Sequence, residues 1–140
     1  MVSVTVEYRA LSGTAAAVGR AGNHVVIADR PEGRAGGLGL GFNGGQLLAL
    51  ALGGCFCNDV RYTADEMGEV VEALEVVDTV QLSGEPPVAT DAMMTARCEL
   101  ASRADPAELL ARSEQRCTIA NSLRAGMSVR ITPATESSSG

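Results

Sequence analysis

The sequence has no apolar run long enough to cross a membrane as a helix. Its longest, from about Leu47 to Cys57, falls well short of the roughly 18 residues a span requires. The first nine residues, Met1-Val2-Ser3-Val4-Thr5-Val6-Glu7-Tyr8-Arg9, lack the basic start, apolar core and cleavage site of a secretory leader. No membrane partner is therefore expected, and a cytoplasmic location is, where cysteines rest as thiols. A basic face is missing too: the net charge is −6 and the arginines are scattered, which argues against a nucleic-acid partner. Metal ligands are sparse, with one histidine, His24, in a strand-like stretch. Cys55 and Cys57 stand two positions apart on a helix, about 200° around its axis, and so cannot chelate together. No metal and no cofactor are expected. The glycine-rich stretch from Arg30 to Gly45 lacks the Gly-Lys-Ser/Thr ending of a phosphate cradle.

What is present builds one domain, assigned to residues 1–133, with residues 134–140 having the composition of a disordered tail. At 140 residues and 46% hydrophobic, the chain can form a core without disulfide staples. Val2, Val4 and Val6 alternate with polar residues as in a half-buried strand. Strands over Thr14–Val18 and His24–Ala28 follow, separated by the Arg20-Ala21-Gly22-Asn23 turn. The Arg30–Gly45 stretch is a long loop of the kind that is usually functional or mobile.

A helix is predicted from Gly44 to Met67, since Asn43 can cap it and Gln46 can return the hydrogen bond of a capping box. Its first half is apolar all round, as a buried helix or interface requires, and Asp59, Arg61, Asp65 and Glu66 give the second half a wet face. Asp59 and Arg61 read as a solvated surface pair. Gly53 and Gly54 suggest that another backbone, a substrate or a closely packed neighbour approaches near Cys55.

Strands are expected over Val70–Leu82 and Thr90–Ala101, joined through Ser83-Gly84-Glu85-Pro86-Pro87. A second helix starts with Asp105 as cap, Pro106 in the first helical position and Glu108 completing a capping box. Leu110, Ser113 or Glu114, and Cys117 recur at helical spacing, which points the Cys117 thiol inward. A last strand, Met127 to Thr132, ends at Pro133. Strands grouped in runs, in the order βββ-α-ββ-α-β, define an α+β class. Cys98 alternates with apolar strand residues and reads as packing, and Cys57 as core.

The stretches Asn43–Phe56 and Cys117–Leu123 resemble the two signature regions of the OsmC/Ohr family, whose members include cytosolic thiol peroxidases that reduce organic hydroperoxides. The resemblance implies a long central helix packed on antiparallel sheet in an intertwined homodimer. It also implies that Cys55 attacks a hydroperoxide and that Cys117 resolves the product as a disulfide, with an external dithiol as reductant. Gly19-Arg20-Ala21-Gly22 matches the family's arginine-bearing turn, which makes Arg20 the implied stabiliser of thiolate and peroxide. The chain departs from the family pattern where Gly45 stands in place of a glutamate, Thr118 in place of a proline and Ala120 in place of a serine. Glu32 is a candidate substitute for the missing carboxylate. Two functions follow: a hydroperoxide reductase using Cys55, Cys117 and Arg20, or a relative without that activity that holds a small apolar ligand in the dimer cleft.

Overall fold

The computed structural model describes residues 1–134; the predicted tail lies, from residue 135 onward, outside the described residues. Eight elements follow in order: β1 (Glu7–Ala10), β2 (Ala17–Ala21), β3 (His24–Ala28), α1 (Gly44–Met67), β4 (Val71–Ser83), β5 (Val88–Leu100), α2 (Ala107–Arg116) and α3 (Thr118–Ala125). The class is α+β, with an antiparallel three-stranded sheet β1-β2-β3 and an antiparallel two-stranded sheet β4-β5.

The helix α1 has the bounds its sequence predicts. The Gln46 amide donates to Asn43 Oδ1 at 2.9 Å and the Asn43 amide to Gln46 Oε1 at 3.0 Å, so both halves of the capping box form. At the other end Gly68 adopts φ 70°, the left-handed conformation that glycine takes without a Cβ clash, and the chain turns out of the helix. Leu52, Phe56, Val60 and Ala64, each a turn from the next, bury one stripe of α1 against the β4-β5 hairpin and α2. Cys98, Leu100, Leu109 and Cys117 complete this core. The opposite stripe of the first half stays uncovered within one chain, Leu50 being half exposed.

Several expectations need correction. The first strand begins at Glu7, and Val2, Val4 and Val6 lie exposed outside it. The second is displaced to Ala17–Ala21, so Gly19 and Arg20 are strand residues and the turn is the pair Gly22-Asn23. Pairing continues through Gly19 because the Tyr8 ring of β1 lies over it: a Cβ there would come within 2.6 Å of that ring. Residues 127–132 form no strand; Met127, Val129 and Ile131 are exposed. An alternating pattern makes a strand only where it pairs with an edge, and among the described residues this segment pairs with none. The Asp105 carboxylate does accept the Ala107 amide at 2.9 Å. Glu108, however, pairs one turn on with Arg112 and does not close a box.

The loop between β3 and α1 is more ordered than its glycines suggest. Asp29, almost fully buried, accepts the amides of Arg30, Leu38 and Leu40 at 2.8–3.1 Å. The Asp29 and Phe42 amides donate to Phe42 O and Ile27 O, closing the loop on its own base. The Leu40 amide, helped by those of Arg30 and Leu38 and by the Arg30 charge and opposed by burial, holds the Asp29 carboxyl below its ordinary 3.8. The loop's stabilisation is therefore complete above that value and is lost as pH falls through the lowered one.

Asp78 is the converse case. It shares the inward face of β4 with Leu74, Val76 and Val80, beside Gly53 of α1, and neither carboxylate oxygen has a hydrogen-bond partner. Burial pushes its carboxyl above 3.8, and the Gly53 amide only partly opposes this. Below 3.8 the group is protonated folded or unfolded and adds no ionisation cost; as pH rises through the raised folded value, that cost is imposed on the fold. Asp78→Val, which matches its strand neighbours, is expected to stabilise the protein at pH 7 by about 1–3 kcal/mol, the usual penalty of an unpaired buried polar group. Urea unfolding of both proteins at pH 7 and pH 3.5 checks this: the gain should shrink at the lower pH, and a loss at pH 7 would mean that Asp78 has a partner in solution.

Candidate active site

Cys55 lies on α1 one turn before Asp59, and Cys117 lies at the junction of α2 and α3. The two sulfurs and a carboxylate oxygen of Asp59 all lie within 4.8 Å of one another. The Cys55 thiol donates to Asp59 Oδ2 at 3.5 Å. On its other side Asp59 faces Arg116, whose Nε stands 3.9 Å from Oδ1. Arg116 is held by Glu66 at 2.9 Å, and its guanidinium lies 5.8 Å from the centre of the Tyr62 ring. The line Cys117, Cys55, Asp59, Arg116 thus joins two thiols to a carboxylate and a cation.

Local folding places each group. Helix α2 stops at Arg116, and Cys117 takes extended φ/ψ of −65° and 109° before α3 begins. This corrects the expectation of a thiol within a continuous helix. The stop is set from outside: the Asn121 side-chain amide donates to the Gln115 carbonyl at 2.9 Å, satisfying a group that a continuing helix would have used itself. Cys117 is fully buried, whereas Cys55 is only partly so. Burial pushes the Cys117 thiol up, the neighbouring Cys55 and Asp59 push it further, and the Ala120 amide pulls it part of the way back. Cys117 therefore rests as a neutral thiol, and Cys55 is the sulfur open to an incoming molecule.

Of the residues marked in the sequence, the fold brings Cys55 and Cys117 together. It does not bring Arg20 to them within one chain. Arg20 is exposed on β2, opposite Glu7 and Val25, and the sheet that carries it packs mainly within itself. Asp59 is not the expected surface residue: it is 9% exposed, and Arg61 turns away to donate to the Val71 carbonyl. The spacing of four between Cys55 and Asp59 was the available signal, since it puts both on one helix face. Arg116 also went unmarked, although it adjoins Cys117. Cys57 lies outside the cluster, Cys98 is in the core, and His24 is exposed at the start of β3. Glu32 is exposed and makes no ion pair among the described residues. Gly53 abuts Asp78, while Gly54 faces open space. A cleft of about 870 Å³ runs beside the cluster, lined by Leu48, Leu52, Phe56, Met94, Leu110 and Cys117 among others.

Residues 36–132 match the OsmC-like protein family, and the chain belongs to it. Solved structures carry the same fold. An OsmC like protein from Mycoplasma pneumoniae has a TM-score of 0.72 at 15% identity, over 88% of each chain. An organic hydroperoxide resistance protein OsmC from Legionella pneumophila gives 0.61 at 18%, over 89% of this chain and 90% of the other. An organic hydroperoxide resistance protein from Elizabethkingia anophelis gives 0.64 at 15%, over 89% of each. No curated protein has a significant match in sequence. None of the helices among the described residues is long and apolar enough to cross a membrane.

Proposed function

We infer that the protein is a cysteine-based peroxidase that reduces organic hydroperoxides. The observation that carries this reading is the approach of the Cys55 and Cys117 sulfurs across two helices, within 4.8 Å. Cys55 gives up its proton, with Asp59 as the acceptor within reach, and the thiolate attacks the distal peroxide oxygen. The O–O bond breaks, an alcohol leaves after protonation, and Cys55 becomes a sulfenic acid. The Cys117 thiol then attacks that sulfur, water leaves, and a disulfide forms. An external dithiol reduces it by exchange and is itself oxidised to a disulfide. Arg116 supplies positive charge on the far side of Asp59 from the reacting sulfur.

Arg20 enters this reading only through a homodimer. The uncovered stripe of α1 and the exposed apolar residues Val25, Leu50, Met127, Val129 and Ile131 support a second chain that covers them. Gly45 lies ten residues before Cys55, about 15 Å along the helix, so a carboxylate there would also act across the dimer. Gly45→Glu is expected to speed peroxide consumption about tenfold by fixing Arg20; an unchanged or lower rate would refute the role given to the missing carboxylate. The direct test is one equivalent of an organic hydroperoxide added to the reduced protein, followed by a free-thiol count and peptide mass mapping. Loss of two thiols with a Cys55–Cys117 linkage is expected. Thiols that stay reduced would favour the second reading, a binding protein whose apolar cleft holds a small ligand.

A further inference from the structure

We propose that the reduced cluster of Cys55, Asp59 and Cys117 is a binding site for a thiophilic divalent cation of the Zn2+ class, held by two thiolates and one carboxylate oxygen. A tetrahedral zinc ion with bonds of about 2.3 Å to sulfur and about 2.0 Å to oxygen sets its sulfur and oxygen ligands about 3.5 Å apart, and its two sulfurs about 3.8 Å apart. The Cys55 Sγ to Asp59 Oδ2 distance is 3.5 Å, and all three donor atoms fall within 4.8 Å, so side-chain adjustment alone closes the set. The donors come from rigid places: Cys55 and Asp59 from successive turns of α1, Cys117 from the helix junction packed in the core.

Charge fits as well. Binding releases the two thiol protons, and a divalent ion with two thiolates and a carboxylate carries a net charge of −1. Arg116, facing the free side of Asp59, offsets that charge and orients the carboxylate, the role of an outer partner at metal sites. Three protein donors leave one position for water or a small ligand. Cys57 takes no part, since it lies outside the cluster on the diverging side of α1.

Metal binding uses the same two sulfurs as the proposed peroxide chemistry but does not require it, and is tested without peroxide. The fully reduced, metal-free protein is titrated with Co2+ and then with Zn2+. One equivalent of Co2+ should bind with a thiolate-to-cobalt charge-transfer band, and Zn2+ should displace it. Zn2+ should also slow alkylation of Cys55 in the wild-type protein at least tenfold while leaving Cys57 unchanged. Cys55→Ser and Cys117→Ser should abolish the band, Asp59→Asn should weaken Co2+ binding at least tenfold, and Cys57→Ser should bind as the wild type does. No charge-transfer band, no protection of Cys55, or a band that survives Cys117→Ser but is lost in Cys57→Ser would overturn the proposal. A protein that binds Co2+ in this way but ignores hydroperoxide would retain the metal site and refute the peroxidase reading alone.

Discussion

Replacing Cys55 with serine is expected to abolish consumption of an organic hydroperoxide, with a rate at least a thousandfold below that of the wild type. A serine hydroxyl does not ionise near neutral pH, and no other thiol can take its place. Cys117 is fully buried and held neutral by that burial; Cys98 is buried in the core, where desolvation also raises its pKa. Cys57 is partly exposed but lies outside the cluster, so a sulfenic acid formed on it would have no resolving thiol at hand. Cys117→Ser makes the informative contrast. It should consume one equivalent of peroxide and stop at the sulfenic acid, which a dimedone-type reagent would trap on Cys55. Full turnover by Cys55→Ser, followed as hydroperoxide loss with a dithiol reductant, would remove the assignment.

Arg116→Ala is expected to slow oxidation of Cys55 about ten- to a hundredfold, the range set by loss of a charge-assisted contact of about 1.5–3 kcal/mol. Arg116 is the cation that stands against the cluster within one chain, reaching Asp59 on one side and Glu66 on the other. Without it the thiolate must form beside Asp59 with no compensating charge, so the pH profile of oxidation should also move upward. Stability should change little, because these ion pairs are partly open to solvent. The readout is thiol loss under single-turnover conditions across pH, with thermal unfolding as the control. Arg20→Ala in the same assay separates the two guanidiniums: a loss there reports a cation delivered by a second chain. An unaltered rate and profile in Arg116→Ala would exclude the role given to Arg116.

How much of this was legible in the sequence depended on how local each signal was. The start of α1 follows from Asn43 and Gln46, which act within a few residues of themselves. The helix break at Cys117 does not, because the side chain that enforces it, Asn121, reaches back six residues from the next helix. Asp59 reads as exposed because it is charged, whereas its partners Cys55 and Arg116 make its burial tolerable. Asp78 kept the alternation of β4 while breaking its chemistry, and alternation alone cannot tell an apolar inward residue from a charged one. The terminal valines and the Met127–Ile131 segment show the limit of periodicity: it marks a segment that can pair, not the edge it pairs with.

Cys117, the thiol proposed to close the disulfide, is also the joint between two helices. Beyond it, α3 is a short helix with no fully buried residue, set against the core by Ile119 and Ala120 and tied to α2 by the Arg124–Glu114 pair. A covalent bond made there under the proposed reading would pull on the residue from which α3 starts, so the oxidised and reduced proteins should differ first in the packing of Ile119 and Ala120.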